Sequence, residues 1–213
     1  MPDAVTNRAH LAAADAPPLV LASASRSRAS VLAAAGLAFE RLPATIDEEE
    51  IRRSMRAEGA SADDAAAALA LAKARRIARE CPGALVIGAD QILDCAGVWF
   101  DKPPDMDHAR AQLLALRGKT HRLATAVCVM RDEALLWQHG ESPVLTMRAF
   151  GDAFLDAYLA AAGDAVLASV GAYLLEGLGV QLFARIQGDH FAILGLPLLP
   201  LLGFLRGHGV VAA

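Results

Sequence analysis

Four charged residues stand where side chains of their type could do electrostatic or acid–base chemistry. Asp90 ends an apolar run, Glu48 lies in an acidic stretch, and Lys73 interrupts an alanine-rich segment. Lys102 precedes a proline, which biases it towards extended backbone geometry. Phosphoryl transfer needs cations that hold the phosphates, carboxylates that hold a divalent metal, and a group that orients or deprotonates water. The sequence therefore offers the parts of a metal-assisted phosphoryl-transfer site.

A polar turn adds two arginines to this set. Arg26 and Arg28 lie in SASRSRAS, which follows the apolar run over residues 19–23. Ser25 or Ser27 is a suitable N-cap for a helix that begins in this turn. A strand, a turn and a helix N-terminus in this order direct backbone N–H groups and the positive end of a helix dipole at whatever lies over the turn.

Ordinary structural roles explain most of these residues when each is taken alone. The two arginines of the turn could be solvated, acidic runs such as that around Glu48 usually are, and Lys73 could extend its charge to water. Lys102 could be plain loop surface. Asp90 differs, because a carboxylate at the end of an apolar strand is costly unless it is paired or functional. Ligands of open α/β sheets gather at the carboxyl ends of strands, so Asp90 is the strongest single candidate.

Helices and strands alternate along the chain, which predicts the α/β class. Apolar runs predict strands over residues 19–23, 84–90, 120–130 and 143–150. Helical spacing predicts helices over residues 63–80, 105–117 and 151–162, and a further one from about residue 197. The run over residues 84–90 is apolar at successive positions, as in a central parallel strand buried on both faces. Gln187-Gly188-Asp189, between apolar runs over residues 180–186 and 191–194, predicts a β-hairpin.

Length and composition indicate one domain that needs no disulfide or metal to fold. The chain has 213 residues, of which we predict residues 1–17 to be a flexible arm and residues 18–213 a single domain. A formal net charge of -4 leaves no broad basic face, so nucleic acid is not an expected partner. The three cysteines form no CxxC pair, which favours a reducing, cytoplasmic setting. The apolar stretch over residues 191–205 is shorter than the roughly 20 residues of a spanning helix, so no membrane association is expected.

Six segments, in order, resemble the Maf family of nucleotide pyrophosphatases. They are LASASRSRASVLAAAGLAFE, IDEE, LALAKA, VIGADQIL, DKPPDMDHARAQLLALRGKTH and GAYLLEGLGVQLFARIQGDHFAILGLPL, and they extend from about Leu19 to about Leu202. Each segment alone is weak, but six in register are specific. The resemblance implies an elongated mixed sheet with flanking helices and a cleft between two lobes, similar to the inosine-triphosphate pyrophosphatase fold. It also implies hydrolysis of a nucleoside triphosphate to the monophosphate and pyrophosphate with a divalent cation, Mg²⁺ or Mn²⁺.

The same resemblance implies catalytic roles for four residues. Asp90 would be the general base, Asp90 and Glu48 would hold the metal, and Lys73 and Lys102 would bind the triphosphate. The triphosphate is strongly anionic, so the lysines and the metal would neutralise charge that grows on the leaving pyrophosphate. Asp90 would orient or deprotonate a water for in-line attack at the α-phosphorus.

The resemblance also implies that the polar turn binds substrate. Ser23 and Ser25 would line the phosphate turn with backbone and hydroxyl donors, and Arg28 would bind the triphosphate. Two positions depart from the family pattern, because the usual proline is Arg26 here and the first arginine of a common pair is Ser27. One phosphate contact is therefore in question, and Arg26 could supply it from the neighbouring position.

Gln91 and Glu176 are implied to lie near the nucleobase or the metal. Many members of the family have glutamine where this chain has Glu176. Together with Gln91, this resembles the subgroup that acts on 7-methyl-GTP rather than on dTTP or UTP. A carboxylate can accept hydrogen bonds from the N1–H and amino groups of guanine, whereas an amide suits pyrimidine edges.

The sequence also allows two functions other than an enzyme. A nucleotide-binding regulator of septum formation in cell division would need the pocket but not a working base. A structural protein whose alanine-rich helices pair with a partner explains none of the charged positions near strand ends. A homodimer is compatible with all of these functions.

Overall fold

The structure is a computed structural model that describes residues 16–212. Most of the arm predicted over residues 1–17 lies outside this range. The strands are β1 (Leu19–Leu21), β2 (Glu40–Arg41), β3 (Leu85–Cys95), β4 (Val98–Phe100), β5 (Thr120–Arg131), β6 (Ala134–Glu141), β7 (Val144–Met147) and β8 (Phe183–Gln187). The α-helices are α1 (Arg26–Ala34), α2 (Glu48–Ala57), α3 (Ala62–Ala78), α4 (Met106–Leu116), α5 (Asp152–Ala162), α6 (His190–Ile193) and α7 (Leu198–Gly207). Short 3₁₀ segments occupy much of the chain between α5 and β8.

One eight-stranded mixed sheet organises the described chain, in the order β2-β1-β3-β5-β7-β8, with β4 beside β3 and β6 beside β5. The long strands β3 and β5 are antiparallel over Val86–Asp94. On the other edge of β3, β1 pairs in parallel with Leu85–Ile87, and β4 pairs antiparallel with Leu93–Cys95. Within the described chain, residues 88–92 of β3 therefore have a free edge between β1 and β4. This gap in the sheet becomes the floor of a cleft.

Two lobes flank the gap: the first has a buried apolar cluster on each face of the sheet, and the second has one cluster of its own. In the first lobe, α3 packs on one face of the sheet, whereas α1 and α7 pack on the other. In the second lobe, α4, α5 and the 3₁₀ segments pack around the adjoining ends of β3 and β5. The α/β class and the mixed sheet with flanking helices are confirmed. No helix in residues 16–212 combines the length and the apolar character that crossing a membrane requires.

Helix α3 lies unusually close to β3, and the sequence allows this because both surfaces are small. A Cβ built on Gly88 would stand 2.1 Å from the carbonyl oxygen of Ala70 and 2.8 Å from the Cβ of Ala74. The helix begins with a capping box in which Ser61 and Asp64 satisfy each other's backbone N–H groups. Close packing of α3 on β3 brings the middle of the helix within side-chain reach of the strand.

Two predictions about secondary structure are wrong. Asp90 does not end its strand, because β3 continues to Cys95, and the strand is parallel only to β1. Residues 191–194 do not form the second strand of a hairpin, because residues 190–193 are helical. The Oδ1 atom of Asp189 accepts a hydrogen bond from the N–H of Ala192, so this aspartate caps α6 instead of forming a turn between strands. Strands β2, β4 and β6 and the helix over the acidic run were not predicted.

Candidate active site

All ten residues proposed from the sequence line one cavity of about 1560 Å³ above the gap in the sheet. They are Ser23, Ser25, Arg26, Arg28, Glu48, Lys73, Asp90, Gln91, Lys102 and Glu176. The chain enters this region from both sides, because the turn after β1 and the segment after β4 both lead into the gap. Their common location is a structural finding, whereas their individual roles remain predictions.

A buried lysine joins the two carboxylates at the floor of the cavity. The Nζ atom of Lys73 lies 2.5 Å from Oδ1 of Asp90 and 2.9 Å from Oε1 of Glu48. Lys73 is 7% exposed and Asp90 is 3% exposed. Burial of a single charge would be costly, so each of these groups depends on its partner. Lys73 is therefore part of the site and does not extend to bulk water.

Arg52, which the sequence analysis did not single out, completes this charged network. One terminal nitrogen lies 3.1 Å from Oε2 of Glu48, and the other lies 3.1 Å from Oδ1 of Asp101. Burial raises the pKa of Glu48, but the charge and hydrogen bond of Lys73 and the charge of Arg52 outweigh it, so the pKa is lowered overall. The i, i+4 spacing of Glu48 and Arg52 on one helix was the signal that could have identified the pair.

The turn after β1 is fixed by hydrogen bonds from its own side chains and from β2. Ser25 caps α1, because its Oγ accepts from the N–H of Arg28 at 3.3 Å. The Oγ of Ser23 accepts from the N–H of Ser25 at 3.2 Å. Arg41 donates to the carbonyl oxygens of Ser23 and Ala24. The carbonyl groups of the turn are thus satisfied by β2, and the helix N-terminus is left facing the cavity.

Arg28 is a buried cation without a carboxylate partner in the described chain. Its Nε donates to the carbonyl oxygen of Gly195 at 2.8 Å, and Nη1 donates to Oγ of Ser23 at 3.1 Å. Burial lowers the pKa of Arg28, although the charges of Asp90 and Glu48 oppose this. Two of the five N–H donors of the guanidinium are used in these contacts, so three remain that bond to no described residue and could serve a ligand.

Two further cations at the cavity also make no ion pair with the described residues. Lys102 is exposed as a residue, yet loss of solvation at the cavity wall, reinforced by the charge of Arg28, lowers its pKa. Arg26 is exposed at the first position of α1. The cavity therefore combines an ion-paired acid–base network with three cations that make no ion pair with the described residues.

Gln91 and Glu176 lie in different surroundings. Gln91 follows Asp90 on β3 and so points to the opposite face of the strand, where its Nε2 donates to Oγ1 of Thr125 at 2.8 Å and to the carbonyl oxygen of Ala192 at 2.9 Å. Glu176 accepts from the hydroxyl of Ser27 at 3.0 Å. The amide nitrogen of Gln91 is therefore occupied, whereas the Glu176 carboxylate is held at the start of α1.

Comparison with known proteins places the chain in a family. The sequence profile described as Maf-like protein matches residues 18–208. The chain belongs to the Maf-like family. It is 56% identical over 190 residues to the nucleoside triphosphate pyrophosphatase of Granulibacter bethesdensis, covering 89% of this chain and 96% of that protein. It is 47% identical over 197 residues to the 7-methyl-GTP pyrophosphatase of Rhizobium meliloti, covering 92% of this chain and 99% of that protein.

One carboxylate oxygen in the cavity is available as a ligand for a cation. Oδ2 of Asp90 is buried and has no hydrogen-bond partner in the described chain, and a terminal nitrogen of Arg52 lies 3.9 Å from it. No group of three or more His, Cys, Asp or Glu side chains in residues 16–212 is arranged to hold a metal. Mg²⁺ is typically held by one or two carboxylates together with substrate phosphates and water. Asp90 and Glu48 fit such a cation, whereas a metal held by protein ligands alone does not fit.

Proposed function

We propose that this protein is a nucleoside triphosphate pyrophosphatase, which hydrolyses its substrate to a nucleoside monophosphate and pyrophosphate. The observation that carries this proposal is the buried carboxylate of Asp90. One oxygen is paired with Lys73, the other has no partner in the described chain, and the same cavity holds Arg28 and Lys102, which make no ion pair with the described residues. This arrangement offers a base for water and positive charge for a polyanionic tail. The names of the relatives in Granulibacter bethesdensis and Rhizobium meliloti support the same reaction.

The unpaired cations would bind the triphosphate. The guanidinium of Arg28 is held in place by Gly195 and Ser23, so its remaining N–H donors have a fixed direction. Lys102 would add a mobile point charge from the other side of the gap. The N-terminus of α1 would contribute backbone N–H groups and its positive dipole end. These contacts would hold the β- and γ-phosphates and stabilise the pyrophosphate as it leaves.

Asp90 would act on the water. Lys73 fixes Oδ1, so Oδ2 would accept the proton while the water oxygen bonds to the α-phosphorus. The bond from the α-phosphorus to the bridging oxygen breaks, and pyrophosphate leaves with that oxygen. Because Asp90 lies on a strand fixed on its other edge by β5, its carboxylate is presented with little freedom.

A divalent cation, Mg²⁺ or Mn²⁺, would be held by Asp90 and Glu48. Each carboxylate oxygen has two lone pairs, so Oδ2 of Asp90 would contact the ion with one and accept the proton of the water with the other. When bound, it would supply positive charge to the phosphate oxygens during the reaction. Glu48 now contacts Lys73 and Arg52, so its carboxylate would exchange part of this pairing on binding the ion. Activity should therefore depend on added cation and should be lost in the presence of a chelator.

The nucleobase preference would be set near Glu176. Its carboxylate could accept hydrogen bonds from the N1–H and amino groups of a guanine base, which supports 7-methyl-GTP over dTTP or UTP. Gln91 would contribute only its carbonyl oxygen, since its nitrogen is occupied. The Glu176→Gln variant should lose preference for 7-methyl-GTP. A wild-type enzyme that turns over dTTP or UTP faster than 7-methyl-GTP contradicts this assignment.

A pyrophosphate-release screen tests the function as a whole. Purified protein is given ordinary and modified nucleoside triphosphates, with and without Mg²⁺, and both products are measured. Equal yields of monophosphate and pyrophosphate are expected for at least one nucleotide. Tight nucleotide binding without release would instead support the non-catalytic regulator.

We also propose a cytoplasmic setting, which is supported by three cysteines that are all free in the structure. A homodimer is compatible with the edge strands of the described sheet, β2, β4, β6 and β8, each of which pairs with only one neighbour. Light scattering of the purified protein over a range of concentrations would give the oligomeric state. A constant monomer mass would exclude the dimer.

A further inference from the structure

Thr125, a buried residue with no role assigned so far, lies at the centre of a hydrogen-bond cluster below the cavity. It is 2% exposed and faces Gln91 directly across the antiparallel pair of β3 and β5. Its Oγ1 accepts from Nε2 of Gln91 at 2.8 Å and lies 3.0 Å from the carbonyl oxygen of Ala192 and 3.2 Å from that of Leu123. The threonine hydroxyl therefore links two strands of the sheet to helix α6.

Helix α6 depends on this link because it is too short to be stable through its own hydrogen bonds. It has four residues, and its last carbonyl groups have no partner within the helix. The carbonyl oxygen of Ala192 is contacted by Nε2 of Gln91 at 2.9 Å, by Thr125, and by the N–H of Gly195 at 3.0 Å. The side chains of β3 and β5 thus anchor the end of α6 to the sheet.

The same segment positions the buried arginine of the cavity. Gly195 lies two residues after the end of α6, and its carbonyl oxygen accepts from Nε of Arg28 at 2.8 Å. The fit is tight, because Gly195 has φ +94 and a Cβ built there would stand 3.2 Å from Nε of Arg28. A shift of this segment would therefore move the guanidinium or break its hydrogen bond.

We propose that Thr125 is a positioning residue for Arg28, acting through Gln91 and the segment from Ala192 to Gly195. The ligand that Arg28 would bind is a polyphosphate, so this inference rests on the proposed function. It also gives Gln91 a task other than reading the nucleobase. Thr125 itself does not touch the ligand.

A merely structural role would give a different pattern of effects. If Thr125 only stabilised the fold, its loss would lower the melting temperature, and any effect on binding would be independent of Arg28. If Thr125 acts through Arg28, its loss should have no further effect once Arg28 has been removed. Coupled residues are recognised by such non-additivity.

The test measures binding of inorganic tripolyphosphate by calorimetry to the full chain, so it does not require turnover. Thr125→Val keeps the shape and removes the hydroxyl, and it should weaken binding about 10-fold, the size expected for one lost hydrogen bond. Thr125→Ser restores the hydroxyl and should bind within about twofold of the wild type. Thr120→Val makes the same change on the same strand at an exposed hydroxyl pair with Thr146, and it should have no effect.

The Arg28→Met background completes the test. Thr125→Val should not weaken tripolyphosphate binding further in that background. Equal weakening in both backgrounds, or binding by Thr125→Val as tight as that of the wild type, overturns the inference. Should Thr125→Val fail to fold, Gln91→Met removes the other half of the link and must give the same pattern. Pyrophosphate release by the wild type is measured separately, so failure of the proposed function is seen apart from failure of this inference.

Discussion

The two walls of the cavity hold their charges in different ways. On the wall formed by α2 and α3, Lys73 and Arg52 are paired with Glu48, Asp90 and Asp101 at short distances. On the wall formed by the turn after β1, a buried arginine is held by a backbone carbonyl and a hydroxyl, with no carboxylate in the described chain. The charges on the first wall already neutralise each other, whereas the positive charge on the second wall has no counter-ion among the described residues.

This difference explains how one cleft can serve both chemistry and binding. Paired buried charges fix each other's geometry, which suits a carboxylate that must present one oxygen to water. A buried cation without a counter-ion is unfavourable by itself, and it becomes favourable when a polyphosphate enters. Changes on the first wall should therefore affect mainly kcat, and changes on the second should affect mainly ligand binding.

The largest effect is expected on the first wall, from Asp90→Asn. Loss of the base should lower kcat by roughly 10²–10⁴-fold, the usual range for a general base. Binding of tripolyphosphate should change little, whereas the melting temperature should fall, because Lys73 loses the charge of one of its two carboxylate partners. Asp94→Asn is the matched control, because Asp94 lies on the same face of the same strand but pairs with Arg122 outside the cavity. Near-normal kcat in Asp90→Asn would remove Asp90 from the role.

On the second wall, Arg28→Met should weaken tripolyphosphate binding by about 10–100-fold, as expected for lost hydrogen bonds between charged groups. The value of kcat at saturation should fall much less. Arg26→Met serves as the control, since this exposed side chain makes no hydrogen bond or ion pair with the described residues and should cost only a few-fold. A larger loss in Arg26→Met than in Arg28→Met would reverse the assignment of the phosphate contact.

Much of this arrangement could be predicted from residue types, because charged side chains in otherwise apolar surroundings limit the possible chemistry. The end of β3 at Cys95, five residues beyond Asp90, could not be predicted in this way. Asp90 marks the free edge of β3 between β1 and β4, and that edge depends on how the strands pair in the tertiary structure. The role of Asp189 as a helix cap was hidden by the glycine before it. The role of Thr125 could not be predicted either, because threonine is common in apolar strands and its contact with α6 is visible only in the folded structure.

A smaller effect should follow from Arg52→Met, which removes the residue that orients Glu48 and contacts Asp101. We expect kcat to fall about 10-fold, since positioned charges lose alignment when one partner of a network is removed. Arg53→Met, at the next position and exposed to solvent, should behave as the wild type. If Arg52→Met alters only tripolyphosphate affinity, the division between the two walls is incorrect.

The smallest effect on activity is expected from Gly88→Ala. The added methyl group must push α3 away from β3, which should cost about 1–3 kcal/mol of stability, as overpacking does. Lys73 would move with the helix, so kcat should fall a few-fold while tripolyphosphate binding is kept. Gly140→Ala is the control, because a Cβ there meets only an ordinary contact at 3.7 Å. Chemical denaturation and steady-state kinetics on both variants would show whether Gly88 supports the first wall alone.

Hydrolysis in water enriched in oxygen-18 tests the central claim most directly. Water activated beside Asp90 should attack the α-phosphorus, so mass spectrometry of the products should find the label in the nucleoside monophosphate and none in pyrophosphate. Label in pyrophosphate would mean attack at the β-phosphorus, and labelled orthophosphate would mean attack at the γ-phosphorus. Either result would contradict the account.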